Sequence, residues 1–181
     1  MTAPTLQRIR IVDDDESLRE AISFVLEGEG YAVVEYESAE DFLARDDLRT
    51  PGCLLLDVKM PGISGLGLFE RLREAGVTLP VIFLSAHGDI DMAVDVMQKG
   101  AVSFLPKPVS SEKLLAAIER AREAAPSEPM LTALSERERQ VVSLVVSGLT
   151  NREVAERLGL SKRTVEFFRA GAMAVSYTHL R

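Results

Sequence analysis

Asp13, Asp14, Asp15, Asp57, Ser85 and Lys107 each stand directly after a short apolar run, and each carries a group able to hold an ion. Carboxylates gathered at one edge of a fold crowd like charges, which raises their pKa values and destabilises the fold unless a cation is present. A hard divalent ion relieves that conflict. Mg2+ suits so sparse a set, because it takes one or two protein carboxylates and completes its octahedron with water and phosphoryl oxygen. No calcium-loop spacing occurs, and two histidines with one cysteine cannot build a zinc site. His87 reads as a loop residue. A carboxylate beside a bound cation can attack an activated phosphoryl group and form an acyl phosphate, with the metal and an ammonium neutralising the oxygens. Asp57 fits the nucleophile, Lys107 the ammonium, and Ser85 a donor to the arriving oxygen. Singly, an aspartate after a strand is a turn former or a helix cap. Their joint placement is what points to chemistry.

That placement depends on the elements between them. Apolar, β-branched runs at Ile9–Val12, Ala32–Tyr36, Cys53–Leu56, Val81–Leu84 and Val102–Leu105 read as strands, separated by segments of helical period. Leu18, Ile22, Val25 and Leu26 share one face of a first helix, which Gly28 and Gly30 end. Ser38 with Asp41 signals the start of a second. Leu66, Phe69 and Leu72 mark a third, closed by Gly76. Asp89 caps a fourth, in which Ala93, Val94 and Met97 share a face and Gly100 is the stop signal. Ser111 opens a fifth with Leu114, Leu115 and Ile118. Five βα units in about 120 residues require a parallel, doubly wound α/β sheet with right-handed crossovers. In such sheets ligands gather outside the carboxyl ends of the strands, where the residues named above lie.

The chain has 181 residues, 46% of them hydrophobic, enough for one sizeable core and a second small one. The single Cys53 excludes an internal disulfide and fits a reducing compartment, so the cytoplasm is expected. Neither a signal segment nor a membrane-length apolar stretch occurs. Net charge is −7, but residues 1–123 hold 13 Lys/Arg against 22 Asp/Glu, whereas residues 124–181 hold 8 against 6. An acidic front and a mildly basic back suit a regulatory module joined to a nucleic-acid reader.

The runs I-V-D-D-D at 11–15, L-L-L-D-V-K-M-P-G-I-S-G at 54–65, L-S-A-H-G-D at 84–89 and F-L-P-K-P at 104–108 resemble the receiver domain of FixJ/NarL-type response regulators over residues 8–123. The resemblance implies a flavodoxin-like sheet in the order 2-1-3-4-5. It also implies that Asp57 accepts phosphate from a sensor histidine kinase, and that Asp14, Asp57 and the backbone carbonyl of Lys59 bind Mg2+, with Asp13 acting through water. Ser85 and Phe104 become a switch pair that reshapes the fourth helix, fifth strand and fifth helix, the face through which a phosphorylated homodimer forms. Lys107-Pro108 matches the family's cis peptide, and Met60-Pro61-Gly62 shapes the loop beside the site.

Residues 124–133 contain two prolines among small polar residues and read as a linker. Ser135 with Glu138, and Thr150 with Glu153, form capping-box patterns for two short helices closed by Gly148 and Gly159; Ser161 caps another. Residues 134–166, L-S-E-R-E-R-Q-V-V-S-L-V-V-S-G-L-T-N-R-E-V-A-E-R-L-G-L-S-K-R-T-V-E, resemble the LuxR-type helix-turn-helix. By that resemblance the helix from Lys162 enters the major groove of promoter DNA. Glu166 and Phe167 then stand at positions that can face bases, Lys162, Arg163 and Arg169 on phosphates, and Thr164 belongs to the same DNA-binding set. The alternative for Arg152, Arg157 and Arg163 is a solvated bundle face. The family's domain, which commonly has histidine where Phe168 stands, continues into a fourth helix. Residues 134–173 therefore read as incomplete and 174–181 as a non-native tail, leaving Val142, Leu144, Val145 and Val165 partly uncovered and the module frayed.

Two other readings remain open. A Mg2+-dependent phosphatase would also use an aspartyl phosphate, but it needs a second acid two residues after the nucleophile, and here that residue is Lys59. The other is a signalling receiver whose reader does not work. No activity beyond its own phosphorylation and dephosphorylation is expected, so the chain does not read as an enzyme.

Overall fold

A computed structural model describes residues 8–48, 50–75, 77–87, 90–125, 137, 140–141, 144–145 and 148–169. The strands are β1 Arg8–Val12, β2 Ala32–Tyr36, β3 Gly52–Asp57, β4 Val81–Ser85 and β5 Ser103–Pro106. All pair in parallel, in the order β2-β1-β3-β4-β5. That is the expected doubly wound, flavodoxin-like sheet. Strand ends differ from the expected ones by a residue or two, because ladder pairing with a neighbour rather than apolarity decides where a strand stops.

Helices α1 Glu16–Gly28, α2 Ala39–Arg45, α3 Gly65–Glu74, α4 Ile90–Gln98 and α5 Ser111–Ala124 complete this unit. Successive strand side chains alternate between two faces, so each strand feeds two cores. Ile9, Ile11, Cys53, Leu55, Ile82 and Leu84 meet Ile22 and Leu26 of α1 and Leu114, Ala117 and Ile118 of α5. On the other face Val12, Leu54, Leu56, Val81 and Phe83 meet Phe42 of α2, Leu68, Phe69 and Leu72 of α3, and Val96 of α4. Each such side chain contributes about 1.5–3 kcal/mol when fully buried.

Side-chain caps set the helix starts. Asp15, Ser38 and Ser64 accept from the amides of Leu18, Asp41 and Gly67 and so begin α1, α2 and α3. α5 opens at Ser111 as expected, and its cap is the preceding Ser110, which accepts from the Lys113 amide. The helix also runs through Ala124, past the expected boundary at 123. In α4, Ala93, Val94 and Met97 do share a face, but it is not the most buried one. The buried residue of this helix is Val96, with Met92 and Ala93 half-buried, whereas Val94 and Met97 are 50% and 44% exposed and Ile90 is 79% exposed. Apolar residues surround most of this helix, so periodicity alone could not choose which stripe meets the sheet. The expected stops and caps at Gly76 and Asp89 lie outside the described residues.

A guanidinium is fully buried within the sheet. Arg10 of β1 has no exposure, and its Nε donates to Asp46 Oδ2 at 2.7 Å and its Nη2 to the Thr50 carbonyl at 2.9 Å. Tyr36 Oη donates to the same Asp46 oxygen at 2.5 Å, and the Leu48 amide donates to Asp46 Oδ1 at 2.7 Å. Cys53, the free cysteine on β3, is fully enclosed nearby.

In the second segment Arg137, Gln140, Val141, Leu144 and Val145 have helical backbone. Helix α6, Asn151–Leu158, carries the expected capping box between Thr150 and Glu153 and ends at Gly159 in the left-handed region (φ 65°). Residues 162–169 form α7, opened by Ser161, whose hydroxyl accepts from the Thr164 amide at 3.0 Å. Leu144 and Val145 are partly uncovered as expected, but Val165 is fully buried with Val141, Val154 and Phe168. The Phe168 ring supplies apolar cover that periodicity did not reveal. Val142, Ser135, Glu138, residues 126–133 of the linker and the tail from 170 lie outside the described residues.

Candidate functional site

The order of strands reverses between β1 and β3, and the acids stand at the carboxyl ends of those two strands. Asp13 follows β1, Asp57 ends β3, Ser85 ends β4 and Lys107 follows β5. Asp13, Asp14 and Asp57 each offer a carboxylate oxygen within 4.8 Å of the others. Lys107 Nζ lies 2.7 Å from Asp13 Oδ2 and 3.2 Å from Asp57 Oδ1. Asp13 and Asp57 are buried and Asp14 is exposed, so the cluster opens to solvent on one side. Asp15 is a helix cap and stands outside the cluster.

Burial and then the charge of Asp13 push the Asp57 carboxyl up from 3.8 to about 6, against the pull of Lys107 and a hydrogen bond from the Lys59 amide. Burial would lower the Lys107 ammonium, but Asp13 and Asp57 outweigh it and hold the ammonium above its ordinary value. Buried Asp13 Oδ2 is met by the Lys107 ammonium at 2.7 Å. Three carboxylates converging with only one ammonium beside them fit a small hard cation such as Mg2+. A pH dependence follows. Without metal, the raised Asp57 favours the fold most below about pH 4, and that contribution is lost as pH rises through about 6. Mg2+ demands the ionised form, so calorimetric Mg2+ affinity should level off above about pH 6 and fall about tenfold per unit below it, with one proton released.

The remaining strand-end residues surround this cluster. Ser85 Oγ donates to the His87 carbonyl at 2.7 Å and accepts from the His87 amide at 3.2 Å, so the hydroxyl is engaged by its own loop. The Lys107 amide donates to the Ser85 carbonyl at 2.7 Å, and Lys107-Pro108 is cis. Half-buried Phe104 lines a cavity of about 590 Å³ with Ala93, Val94 and Met97 of α4. In the second segment Lys162, Arg163 and Glu166 are exposed, while Thr164 and Phe167 are half-buried. Arg169 donates to Asn151 Oδ1 at 3.1 Å, which ties α7 to α6 instead of leaving that guanidinium free. Arg163, Thr164 and Phe167 also line a cavity of about 210 Å³ whose opposite wall is Leu43, Ile63 and Leu72.

Residues 9–119 match the response regulator receiver domain, and residues 132–174 match the bacterial regulatory proteins of the luxR family. The chain belongs to the response regulators. It is 44% identical over 172 residues to the tetrathionate response regulatory protein TtrR of Salmonella typhimurium, covering 91% of this chain and 84% of that protein. With the transcriptional regulatory protein FixJ of Rhizobium meliloti it shares 43% over 178 residues, covering 92% and 87%. The solved structure of the response regulator StyR superposes with a TM-score of 0.62 at 36% identity, covering 93% of this chain and 90% of that one. This response regulator thus joins a receiver to a LuxR-type DNA-binding domain. No helix among its described residues is long and apolar enough to cross a membrane.

Two residues that position the receiver site escaped the sequence reading. Glu40 of α2 accepts from the Ile63 amide at 2.8 Å and so ties down the loop after Asp57. Nothing in the sequence links positions 23 residues apart. Gly65 begins α3 where a Cβ would sit 1.9 Å from the Asp57 carbonyl oxygen. Gly65→Ala should therefore displace the Asp57 peptide and cost about 1–3 kcal/mol in urea unfolding, with weaker Mg2+ binding as the accompanying sign.

Proposed function

We propose that the receiver accepts a phosphoryl group on Asp57 from a sensor histidine kinase and thereby controls transcription through the LuxR-type domain. The observation that carries this reading is the single cluster formed by Asp13, Asp14, Asp57 and Lys107 at the sheet's switch point. An Asp57 carboxylate oxygen forms the new bond to phosphorus as the bond to the kinase's histidine nitrogen breaks, and the imidazole leaves with the electron pair. Lys107, already 3.2 Å from Asp57 Oδ1, offsets the charge of a phosphoryl oxygen. Asp14, Asp57 and the Lys59 carbonyl would hold Mg2+, with Asp13 reaching it through water. The ion supplies charge neutralisation on the phosphoryl oxygens when bound.

Ser85 must leave the His87 carbonyl to donate to that group, and Phe104 then turns inward, reshaping the α4, β5 and α5 face. Exposed Ile90, Val94 and Met97 give this face apolar area for a phosphorylated homodimer. Paired readers then bring Lys162, Arg163, Thr164, Glu166, Phe167 and Arg169 to promoter half-sites. The protein acts in the cytoplasm, as a switch and not as an enzyme on other substrates. Phosphorylation by a histidine kinase or acetyl phosphate with Mg2+, followed by a mobility-shift assay on genomic fragments, tests this. Specific retention that strengthens on phosphorylation is expected; binding indifferent to a demonstrated label would overturn the coupling, and no binding in either state would leave a receiver without a working reader.

A further inference from the structure

The peptide that joins the two N-terminal acids is held by a side chain outside the cluster. Arg19 of α1 donates from Nη1 to the Asp13 carbonyl at 2.7 Å. Its Nε donates to Glu35 Oε2 of β2 at 3.3 Å, and Ser23 Oγ donates to Glu35 Oε1 at 2.5 Å. The Asp13 amide meanwhile donates to the Tyr36 carbonyl at 3.3 Å, so one peptide plane before Asp13 and one after it are both fixed from neighbouring elements. The Arg19 side chain is 12% exposed, which protects these bonds from competing water.

We infer that Arg19 is a positioning residue for phosphorylation: it sets the plane of the Asp13-Asp14 peptide and thereby the direction in which the Asp14 carboxylate meets the ion. Rotation of that plane swings the Asp14 side chain, and Mg2+ tolerates little departure from octahedral geometry. Glu35 neutralises the guanidinium, so the effect is one of geometry and not of added positive charge near the acids. Only a planar fork serves a carbonyl and a carboxylate together in this way; an ammonium in its place has no second fixed donor direction.

This inference rests on the reading of the acidic cluster as a Mg2+ site. The test is calorimetric Mg2+ affinity of the full chain, with metal-free melting temperature and the rate of labelling by acetyl phosphate measured alongside. Arg19→Ala should bind Mg2+ about 10–100-fold more weakly, the usual consequence of removing an outer-shell partner, and should label more slowly at subsaturating Mg2+. Saturating Mg2+ should recover most of the rate, and Arg19→Lys should fall between the two. Glu35→Gln, which keeps shape but loosens the guanidinium, should weaken Mg2+ several-fold and decides the matter if Arg19→Ala does not fold. Wild-type affinity in a folded Arg19→Ala, or in Glu35→Gln when the alanine variant is unfolded, overturns the inference. A wild type that binds no Mg2+ would instead remove the metal site itself.

Discussion

Asp57→Asn should take up no phosphoryl group from acetyl phosphate or a kinase, a loss of roughly three orders of magnitude or more, the scale that follows removal of a nucleophile. An amide of the same shape keeps the end of β3 in place but has no anionic oxygen to offer phosphorus. The neighbouring acids do not substitute, because Asp13 is fully buried and paired with Lys107, while Asp14 is exposed and on another strand end. The same change should raise metal-free stability near neutral pH. There Asp57 is ionised against the opposition of burial and of Asp13, and asparagine removes that opposition. Gain of melting temperature without Mg2+, together with loss of the stabilisation that Mg2+ brings, would separate a lost site from a lost fold. Undiminished labelling of Asp57→Asn would sink the assignment.

The largest effect on stability is expected at a residue with no part in the chemistry. Asp46→Ala leaves the Arg10 guanidinium without its main partner and takes an acceptor from both Tyr36 Oη and the Leu48 amide. Breaking one side of a buried pair costs about 3–5 kcal/mol, because the remaining charge stays dry and keeps only the longer ion pair to Asp47 Oδ1 at 3.4 Å. For a domain whose whole stability is about 5–15 kcal/mol, urea unfolding should show at least about a fifth of it gone. Arg10→Met in the same chain should recover much of the loss, since it removes the stranded charge. A cost under about 1 kcal/mol would mean that water reaches Arg10.

The acidic edge of the receiver was readable from sequence because parallel strands bring all their carboxyl ends to one edge, so a residue's rank after its strand already fixes its neighbourhood. Asp13, Asp57, Ser85 and Lys107 fall where that rule puts them. What the sequence concealed depends on two elements meeting. Alternation cannot announce that Arg10 is buried, since its partner Asp46 comes from the loop after α2. For α4 the apolar residues were plain and the buried stripe was not, because the sheet edge selects Val96 by shape. Arg19 looks like any charged residue on an amphipathic helix until β2 brings Glu35 beside it. The reader's core closed more fully than its pattern implied because Phe168 fills space that a smaller or polar side chain would leave.

The one cysteine gives the receiver a built-in clock. Cys53 lies on the central strands with no solvent contact, and burial pushes its thiol up to about 12, so it neither ionises nor meets a reagent while the sheet is intact. Alkylation must wait for β3 to open, and its rate therefore counts openings of the sheet centre. Slowing of that rate by Mg2+ or by phosphorylation would report, without any added label, how far events at the strand ends reach into the middle of the sheet.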